Sequence, residues 1–123
     1  MSWKFNNDSP IYLQIMDVLK SQIAQGILKP GDKVPAVREL AISAGVNPNT
    51  MQKALSELER EGILCSKRTT GRYVSEDINN EKDIRRELSH RYVKEFVDNM
   101  LNIGCDKTEI KQNLNDYLEE ENE

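Results

Sequence analysis

A short turn between two apolar-periodic stretches constrains the fold of this chain most strongly. Ala41 lies on the inner side of the first stretch, Gly45 follows four residues later at the turn, and Met51 occupies an apolar position six residues beyond it. Small residues at this spacing allow two helices to meet at a sharp angle. The spacing predicts a helix-turn-helix, although unrelated helical hairpins show the same pattern.

Proline and glycine divide the N-terminal half into further elements. Ser9 before Pro10 predicts an N-cap followed by a proline at the first helical position, where its missing N–H costs nothing. Apolar residues at helical spacing then continue to Gly26. Residues 28–35 have turn chemistry and predict a tight loop or a short strand. A second helix is predicted over about 36–44, without a conventional capping side chain at its start.

The third predicted helix leads directly into a β-hairpin. Asn47 is its predicted N-cap, Pro48 its first residue and Gly62 its end. Two short strand-like segments follow at 63–66 and 72–75, and the polar, glycine-containing stretch between them has the composition of a hairpin tip. This hairpin is a candidate wing.

The C-terminal part predicts a hinge and two helices. Residues 77–82 are polar and predict the hinge, after which a long amphipathic helix with a wide apolar face runs to Gly104. Asp106, with Glu109 three residues on, resembles the capping box of a last helix. The acidic end from Glu119 onward is expected to fray.

Charge is distributed unevenly along the chain. The net charge is −4, but residues 1–75 carry 10 Lys and Arg against 7 Asp and Glu, whereas residues 76–123 carry 7 against 14. Phosphate binding needs positive charge at the contact surface rather than a positive total. We therefore expect a DNA-binding domain over residues 1–76 and a helical dimerisation tail over 77–123 that points away from DNA.

Other functional classes fit the sequence poorly. The 123 residues leave no room for a separate ligand-binding domain. No apolar run reaches the roughly 20 residues of a membrane span, and the N-terminus lacks signal-peptide features, so we expect a cytoplasmic protein with no membrane partner. Cys65, Cys105 and the single His90 are too dispersed for a metal site, and we expect reduced thiols and no cofactor. No nucleophile with a base is evident, so we expect no enzyme.

Polar and basic residues of the third helix and the hairpin are candidate contacts for nucleic acid. Lys67, Arg68 and Arg72 surround the predicted tip, from which cations can reach a phosphate strand or the minor groove. In the alternative interpretation, Lys67 and Arg68 only protect a sheet edge, and Gln52 and Lys53 are ordinary solvated positions.

Most of this half of the chain resembles the signature of the GntR family of transcriptional regulators. The matching stretches are residues 10–15, 26–35, 37–41, 45–50, 54–55, 58–59 and 61–64, which keep the family order without gaps. The resemblance covers roughly residues 10–75 and implies a mainly α fold with a small β-hairpin, namely a winged helix-turn-helix. The short two-helix tail is similar to that of the YtrA-like subfamily, whose members are compact dimers that typically repress operons for membrane transporters.

The resemblance also assigns candidate site residues. Arg38 matches a family arginine that contacts DNA, although a surface ion pair is the alternative for it, and Asn49 and Thr50 match the polar start of the recognition helix. Pro48 and Gln52 stand where many relatives have arginine, so we expect a base preference shifted towards adenine. The full set expected to bind DNA is Arg38, Asn47, Pro48, Asn49, Thr50, Gln52, Lys53, Lys67, Arg68, Thr70, Gly71 and Arg72.

Two further expectations concern the wing tip and the apolar residues. Residues 70–74 stand where relatives usually have glycine, any residue, glycine, an aromatic residue and valine, so the tip has one glycine fewer. Trp3 and Phe5 are expected to pack on the first helix rather than stack on bases. The residues expected at a dimer interface, with core packing or a ligand box as alternatives, are Leu88, Tyr92, Phe96, Val97, Met100, Ile110, Leu114 and Tyr117.

The sequence thus predicts a sequence-specific transcriptional regulator, a repressor of its own operon that binds a palindromic operator as a homodimer. The alternative is a protein-interaction module that keeps the winged-helix scaffold. A small-molecule effector, if there is one, would bind at the subunit interface or between the tail and the winged domain. It would act by changing the distance between the recognition helices.

Overall fold

The computed structural model describes residues 3–77 and 79–121, which divide into two compact units between Arg85 and Arg86. The described part is mainly helical and contains one antiparallel two-stranded hairpin. Its elements are α1 (Ile11–Ala24), α2 (Val37–Ala44), α3 (Pro48–Arg60), β1 (Leu64–Lys67), β2 (Gly71–Val74), α4 (Asn80–Asn102) and α5 (Lys107–Glu121). The units divide later in the chain than the boundary expected at 76/77.

Helix α3 forms the centre of the first unit. It packs against α1, α2 and β1 because its apolar residues recur every three or four positions and so share one face. Burial of each large apolar side chain contributes about 1.5–3 kcal/mol, so Met51, Leu55 and Leu58 on this face together stabilise the unit by several kcal/mol, on the order of 5–9. The buried apolar residues of the three helices are Ile15, Met16, Leu19, Ile23, Leu40, Ala41, Met51, Ala54, Leu55 and Leu58.

The start of α1 differs from the prediction. Pro10 occupies the N-cap position and no side chain caps the helix, so the prediction that Ser9 is the N-cap was wrong. Instead, the Gln14 side chain holds the preceding loop: its Nε2 donates to the carbonyls of Ser9 at 2.8 Å and Asn6 at 3.0 Å. Its Oε1 accepts from the Asn6 N–H at 2.9 Å. Gln14 therefore fixes the loop before α1, although it does not cap the helix.

The N-terminal segment reaches α2 as well as α1. Trp3 and Phe5 are both half-buried, and their ring centroids lie 6.1 Å apart. The indole Nε1 of Trp3 donates to Ser43 Oγ on α2 at 3.1 Å. The segment is thus tied to the helix-turn-helix through Trp3.

The predicted turn between α2 and α3 is confirmed in detail. Gly45 adopts a left-handed conformation with φ of 70°, and the N–H of Val46 donates to the Ala41 carbonyl at 3.0 Å. Asn47 Oδ1 accepts from the Asn49 N–H at 2.7 Å, so Asn47 is the N-cap as predicted. Pro48 is the first residue of α3, because the cap needs no N–H there.

The hairpin lies close to its predicted position and gains a third segment. Strand β1 begins and ends one residue later than predicted, and β2 begins and ends one residue earlier, because the ladder runs from the Leu64–Val74 pair to the Lys67–Gly71 pair. Lys33 forms an isolated antiparallel bridge with Tyr73 on the outer edge of β2. The Val34 N–H donates to the Arg72 carbonyl at 2.9 Å, which fixes the predicted loop or short strand against the hairpin.

The tip of the hairpin contains a strained residue. Thr69 has φ of 70°, and apart from glycines it is the only residue in the described ranges with a positive φ. A left-handed conformation costs a β-branched residue about 1–2 kcal/mol. The following Gly71, with φ of 118°, tolerates its conformation because it has no Cβ. The backbone strain of the tip therefore lies at Thr69.

The start of α4 belongs to the first unit. Asn80 Nδ2 donates to the Gly62 carbonyl at 3.2 Å, Arg85 donates to the Ala24 carbonyl at 2.7 Å, and Ile84 is buried. The predicted hinge over 77–82 was therefore wrong from Asn80 onward, because these contacts stabilise helix there. Residue 78 of that segment lies outside the described residues.

The capping box of the second unit is confirmed. The Glu109 N–H donates to Asp106 Oδ1 at 2.8 Å, and the Asp106 N–H donates to Glu109 Oε1 at 3.2 Å. Fraying from Glu119 was wrong as far as Glu121, since α5 continues to that residue with glutamates that favour helix. Residues 122 and 123 of the expected frayed end lie outside the described residues.

The strain at Thr69 predicts that Thr69→Gly stabilises the protein. Relief of the left-handed penalty, less the entropy that glycine loses on folding, should raise the free energy of unfolding by about 0.5–1 kcal/mol. Urea denaturation followed by circular dichroism measures this change. Thr70→Gly is the control, because the backbone at Thr70 is not left-handed and glycine there should only destabilise. A Thr69→Gly midpoint no higher than that of Thr70→Gly would contradict the strain.

Candidate nucleic-acid interface

The N-terminus of α2 and the hairpin tip line a common cleft of about 290 Å³. Its walls are formed by residues 33–37 on one side and by Thr70, Gly71 and Arg72 on the other. No side chain caps α2, so the positive end of its dipole is open to an anion. Two of the three predicted DNA-contacting elements, the start of α2 and the hairpin tip, therefore come together here.

Arg38 lies in the first turn of α2 and is exposed. Among the residues that the structure describes, no acidic side chain pairs with it. The guanidinium thus keeps all its donors for a ligand, and its fork geometry suits a phosphate.

The predicted residues at the start of α3 have different roles. The Asn47 carboxamide oxygen is used by the cap, and Pro48 has no N–H to offer. Asn49 is exposed, whereas Thr50 is half-buried. Gln52 is exposed and donates from Nε2 to Ser56 Oγ at 3.1 Å, which leaves Oε1 and the second N–H for a base edge.

Lys53 is held by an aromatic ring that the sequence reasoning did not single out. Its Nζ lies 4.1 Å from the centroid of the Tyr12 ring, which belongs to α1. Such a cation–π contact contributes about 0.5–1 kcal/mol at an exposed site and leaves the ammonium charged. Tyr12 thus limits the positions that the Lys53 ammonium occupies along the exposed face of α3.

The hairpin tip carries two cations with different freedom. Lys67 Nζ lies 4.6 Å from the centroid of Tyr73, within the hairpin itself. Arg68 is exposed, and no acidic partner for it lies within residues 3–77 or 79–121. Thr70 is also exposed, and its Oγ1 donates weakly to the Lys67 carbonyl at 3.4 Å. Arg68 is therefore the tip cation most available to a phosphate.

Gly71 lies beside a lysine that the sequence analysis did not select. A Cβ at Gly71 would come within 3.4 Å of Lys33 Cε, and its φ of 118° also disfavours a side chain. Lys33 is exposed and lines the cleft, so it adds a positive charge next to the tip. Only its pairing with Tyr73 in the folded chain reveals this position.

Arg72 does not lie at the tip, where the sequence placed it. It sits in β2, is half-buried, and its Nε pairs with Glu59 Oε1 on α3. Burial opposes ionisation of Glu59, but hydrogen bonds from Arg72 and Ser66 and the positive charge of Arg72 outweigh it and lower the pKa of that carboxyl. Arg72 is thus neutralised by a partner within the protein.

The second unit carries the residues expected at a dimer interface. Tyr92, Phe96, Leu114 and Tyr117 are exposed, and Val97 and Met100 are half-buried. Leu88 and Ile110 are already buried in the single chain and offer little surface to a partner. The exposed apolar residues of this unit that the predicted set omitted are Val93, Leu101, Ile103 and Leu118.

Other expected features can also be located. Cys65 is exposed on β1 and Cys105 is half-buried, and both are free thiols. Within the described ranges, no three His, Cys, Asp or Glu side chains are grouped as a metal site would require. None of the described helices combines the length and apolar character needed to cross a bilayer.

Comparison with known proteins agrees with this geometry. The family described as bacterial regulatory proteins, gntR family, matches residues 11–74, which run from the start of α1 to the end of β2. The HTH-type transcriptional repressor YtrA of Bacillus subtilis (strain 168) is 52% identical over 71 residues. These residues are 58% of this chain and 55% of that repressor, so the chain spans about half of YtrA.

Two solved structures extend the comparison. A GntR family transcriptional regulator from Listeria monocytogenes superposes with a TM-score of 0.82 at 33% identity, over 91% of this chain and 98% of that chain. The DNA-binding domain of AraR, solved in complex with operator ORX1, superposes with a TM-score of 0.56 at 30% identity, over 61% of this chain and 96% of that chain. The chain therefore belongs to the GntR family and is a winged helix-turn-helix DNA-binding regulator of transcription, not an enzyme.

Proposed function

We propose that this protein represses its own operon by binding a palindromic operator as a homodimer. The observation that carries the proposal is the cleft shared by the α2 N-terminus and the hairpin tip. Arg38 follows its lining residue Val37 in the chain and has no acidic partner in the described structure. The similarity to the repressor YtrA supports repression, and the resemblance to its subfamily suggests an operon for a membrane transporter.

The proposed contacts divide into positioning and reading groups. Arg38 and Arg68 bind phosphates and set the register of the protein on the duplex, since such contacts carry no sequence information directly. Gln52, with Asn49 before it on the exposed face of α3, reads base edges in the major groove. The wing places Thr70 and Gly71 against the flanking backbone, where a small residue permits close approach.

The proposed dimer uses the exposed apolar face of the second unit. Tyr92, Phe96, Leu114 and Tyr117 are large, apolar and exposed in the single chain, which water disfavours. A second copy of the chain is the expected occupant, because a two-fold dimer matches the symmetry of a palindromic site. The two α3 helices would then enter major grooves about one helical turn apart.

The roles proposed for Arg38 and Gln52 predict a loss of affinity for one substitution and a loss of base preference for the other. Arg38→Ala should weaken binding about 10-fold or more on every duplex and reduce the salt slope by about 1, because a charged hydrogen bond to phosphate is lost. Gln52→Ala should relax the preference at one base pair by about 1–3 kcal/mol. Fluorescence anisotropy across a salt series measures both, with duplexes selected by the wild-type protein from a random-sequence library.

Arg86→Ala is the matched control, because Arg86 is exposed on α4 in the second unit and its loss changes the net charge equally. Equal behaviour of the Arg38 and Arg86 variants would remove Arg38 from the interface. Selection of no preferred sequence by the wild-type protein would favour the protein-interaction alternative instead.

The proposed dimer predicts that Tyr117→Asp produces monomers. Replacing an exposed aromatic residue by a charge at the apolar interface should cost at least about 2 kcal/mol of association free energy, roughly 30-fold in the dimer dissociation constant. Analytical ultracentrifugation over a concentration series measures this constant. Ile42→Asp on α2 is the control, because Ile42 is also apolar and exposed but belongs to the first unit. A Tyr117→Asp protein that stays as dimeric as Ile42→Asp would contradict the interface.

A further inference from the structure

One carboxylate of α3 holds both strands of the wing. Glu59 lies in the last turn of α3, and its Oε1 accepts a hydrogen bond from Ser66 Oγ on β1 at 2.9 Å. The same oxygen pairs with Arg72 on β2. Ser66 and Arg72 stand directly opposite each other in the antiparallel ladder. Glu59 thus fastens a single rung of the hairpin to the helix.

This rung lies where apolar packing of the wing has ended. Leu64 and Val74 form the first rung of the ladder and are buried, whereas the next three residues of β1 are exposed. Strand β2 has additional support at Tyr73, which pairs with Lys33. On β1, Ser66 bonds to α3 through its side chain, whereas Lys67 contacts only Tyr73 within the hairpin, as far as the described structure shows. A two-stranded hairpin is marginal by itself, so its outer part depends on such a link.

The ion pair between Glu59 and Arg72 also keeps Arg72 from acting as a free cation. The side chain of Arg72 is 19% exposed and that of Glu59 is 28% exposed, so their pairing is partly shielded from solvent and salt. A glutamate is already ionised at neutral pH, and the lowered pKa of Glu59 extends its charged state further into the acidic range. While it is charged, Arg72 stays bound to the protein, whereas Arg68 at the tip has no acidic partner in the described structure.

We propose that Glu59 is a positioning residue that fixes the direction of the wing for operator binding and keeps Arg72 away from phosphates. This inference rests on the proposed function for its operator-binding part. It assigns to Glu59 a contribution to specificity without contact with DNA. Loss of the carboxylate releases the wing from α3 and frees the guanidinium of Arg72. The free guanidinium can then bind phosphate of any sequence, while the wing no longer has the direction that operator binding requires.

The test compares Glu59→Gln with Glu57→Gln, which is the matched control. Glu57 lies two residues earlier in α3 and pairs with Arg60 of the same helix, so its substitution changes the net charge equally without touching the wing. Anisotropy with a selected operator and a random-sequence duplex gives the ratio of the two affinities. We expect Glu59→Gln to lower this ratio about 10-fold and to steepen the salt slope on random duplex by about 1.

The Arg72→Gln variant separates the effect of wing direction from the effect of a freed guanidinium. It should also lower the ratio, because Glu59 loses its main partner, but it should not steepen the salt slope. The double substitution should behave as Arg72→Gln does, since no guanidinium remains to be freed. Glu59→Asp, which retains the charge, should restore part of the ratio. An unchanged ratio in Glu59→Gln relative to Glu57→Gln would overturn the proposal.

Hydrogen exchange of the DNA-free protein tests the role of Glu59 in the wing independently of the proposed DNA-binding function. Backbone amides of residues 66–73 should exchange faster in Glu59→Gln than in Glu57→Gln, while those of α1 remain protected in both. Equal exchange in the two variants would overturn the role of Glu59 whether or not DNA is bound. Absence of a preferred duplex for the wild-type protein, together with faster exchange in Glu59→Gln, would reject operator binding but retain the wing link.

Discussion

The packing of α3 is the constraint on which the rest of this regulator depends. Its inner residues Met51, Ala54, Leu55 and Leu58 are fully buried between the other elements of the first unit. A helix so tightly packed has one fixed rotation about its own axis, since interiors tolerate little change in volume. The rotation that buries these four residues also exposes Gln52 and Lys53. Core packing therefore determines which side chains of α3 lie on the exposed surface.

The two ends of α3 connect to different parts of the interface. At its N-terminus, Asn47 and Pro48 set the turn from α2, and so the position of Arg38 relative to Gln52. At its C-terminus, Glu59 fastens the wing through Ser66 and Arg72, whose positions in the chain are 7 and 13 residues away. The turn at one end of α3 and the ion pair at the other therefore position Arg38 and the wing relative to the same helix.

The accuracy of the sequence-based predictions followed the distance over which each interaction acts. The Asn47 cap and the Asp106–Glu109 capping box were predicted correctly because the groups that form them lie within three residues of each other. The helix-turn-helix spacing and the hairpin were also predictable, because glycine, proline and apolar period are local signals. The Ser9 cap failed because the helix begins one residue later than predicted, with Pro10 at the N-cap position and no capping side chain.

Contacts between distant parts of the chain were beyond the sequence pattern. Residues 77–82 look like a polar hinge, but Asn80 and Arg85 bond to carbonyls of Gly62 and Ala24 that only the fold brings near them. The ion pair of Arg72 could not be predicted because its partner, Glu59, belongs to another element. Tyr12 and Lys33 escaped selection for the same reason, since their roles come from Lys53 and Tyr73.

The positive charge near the cleft comes from a few individual residues and does not follow from the net charge of the chain. Salt screens charges separated by more than about 8–10 Å, so phosphate responds to the cations near it and not to the net charge of −4. Of the basic residues near the cleft, Arg72 is neutralised by Glu59, whereas Arg38 and Arg68 have no acidic partner in the described structure. Such an interface, which also includes Lys33 in the cleft, gains no sequence preference directly from its phosphate contacts. Its affinity for a particular sequence must therefore come from the accurate placement of α3 and the wing, which is what the buried face of α3 and the Glu59 link provide.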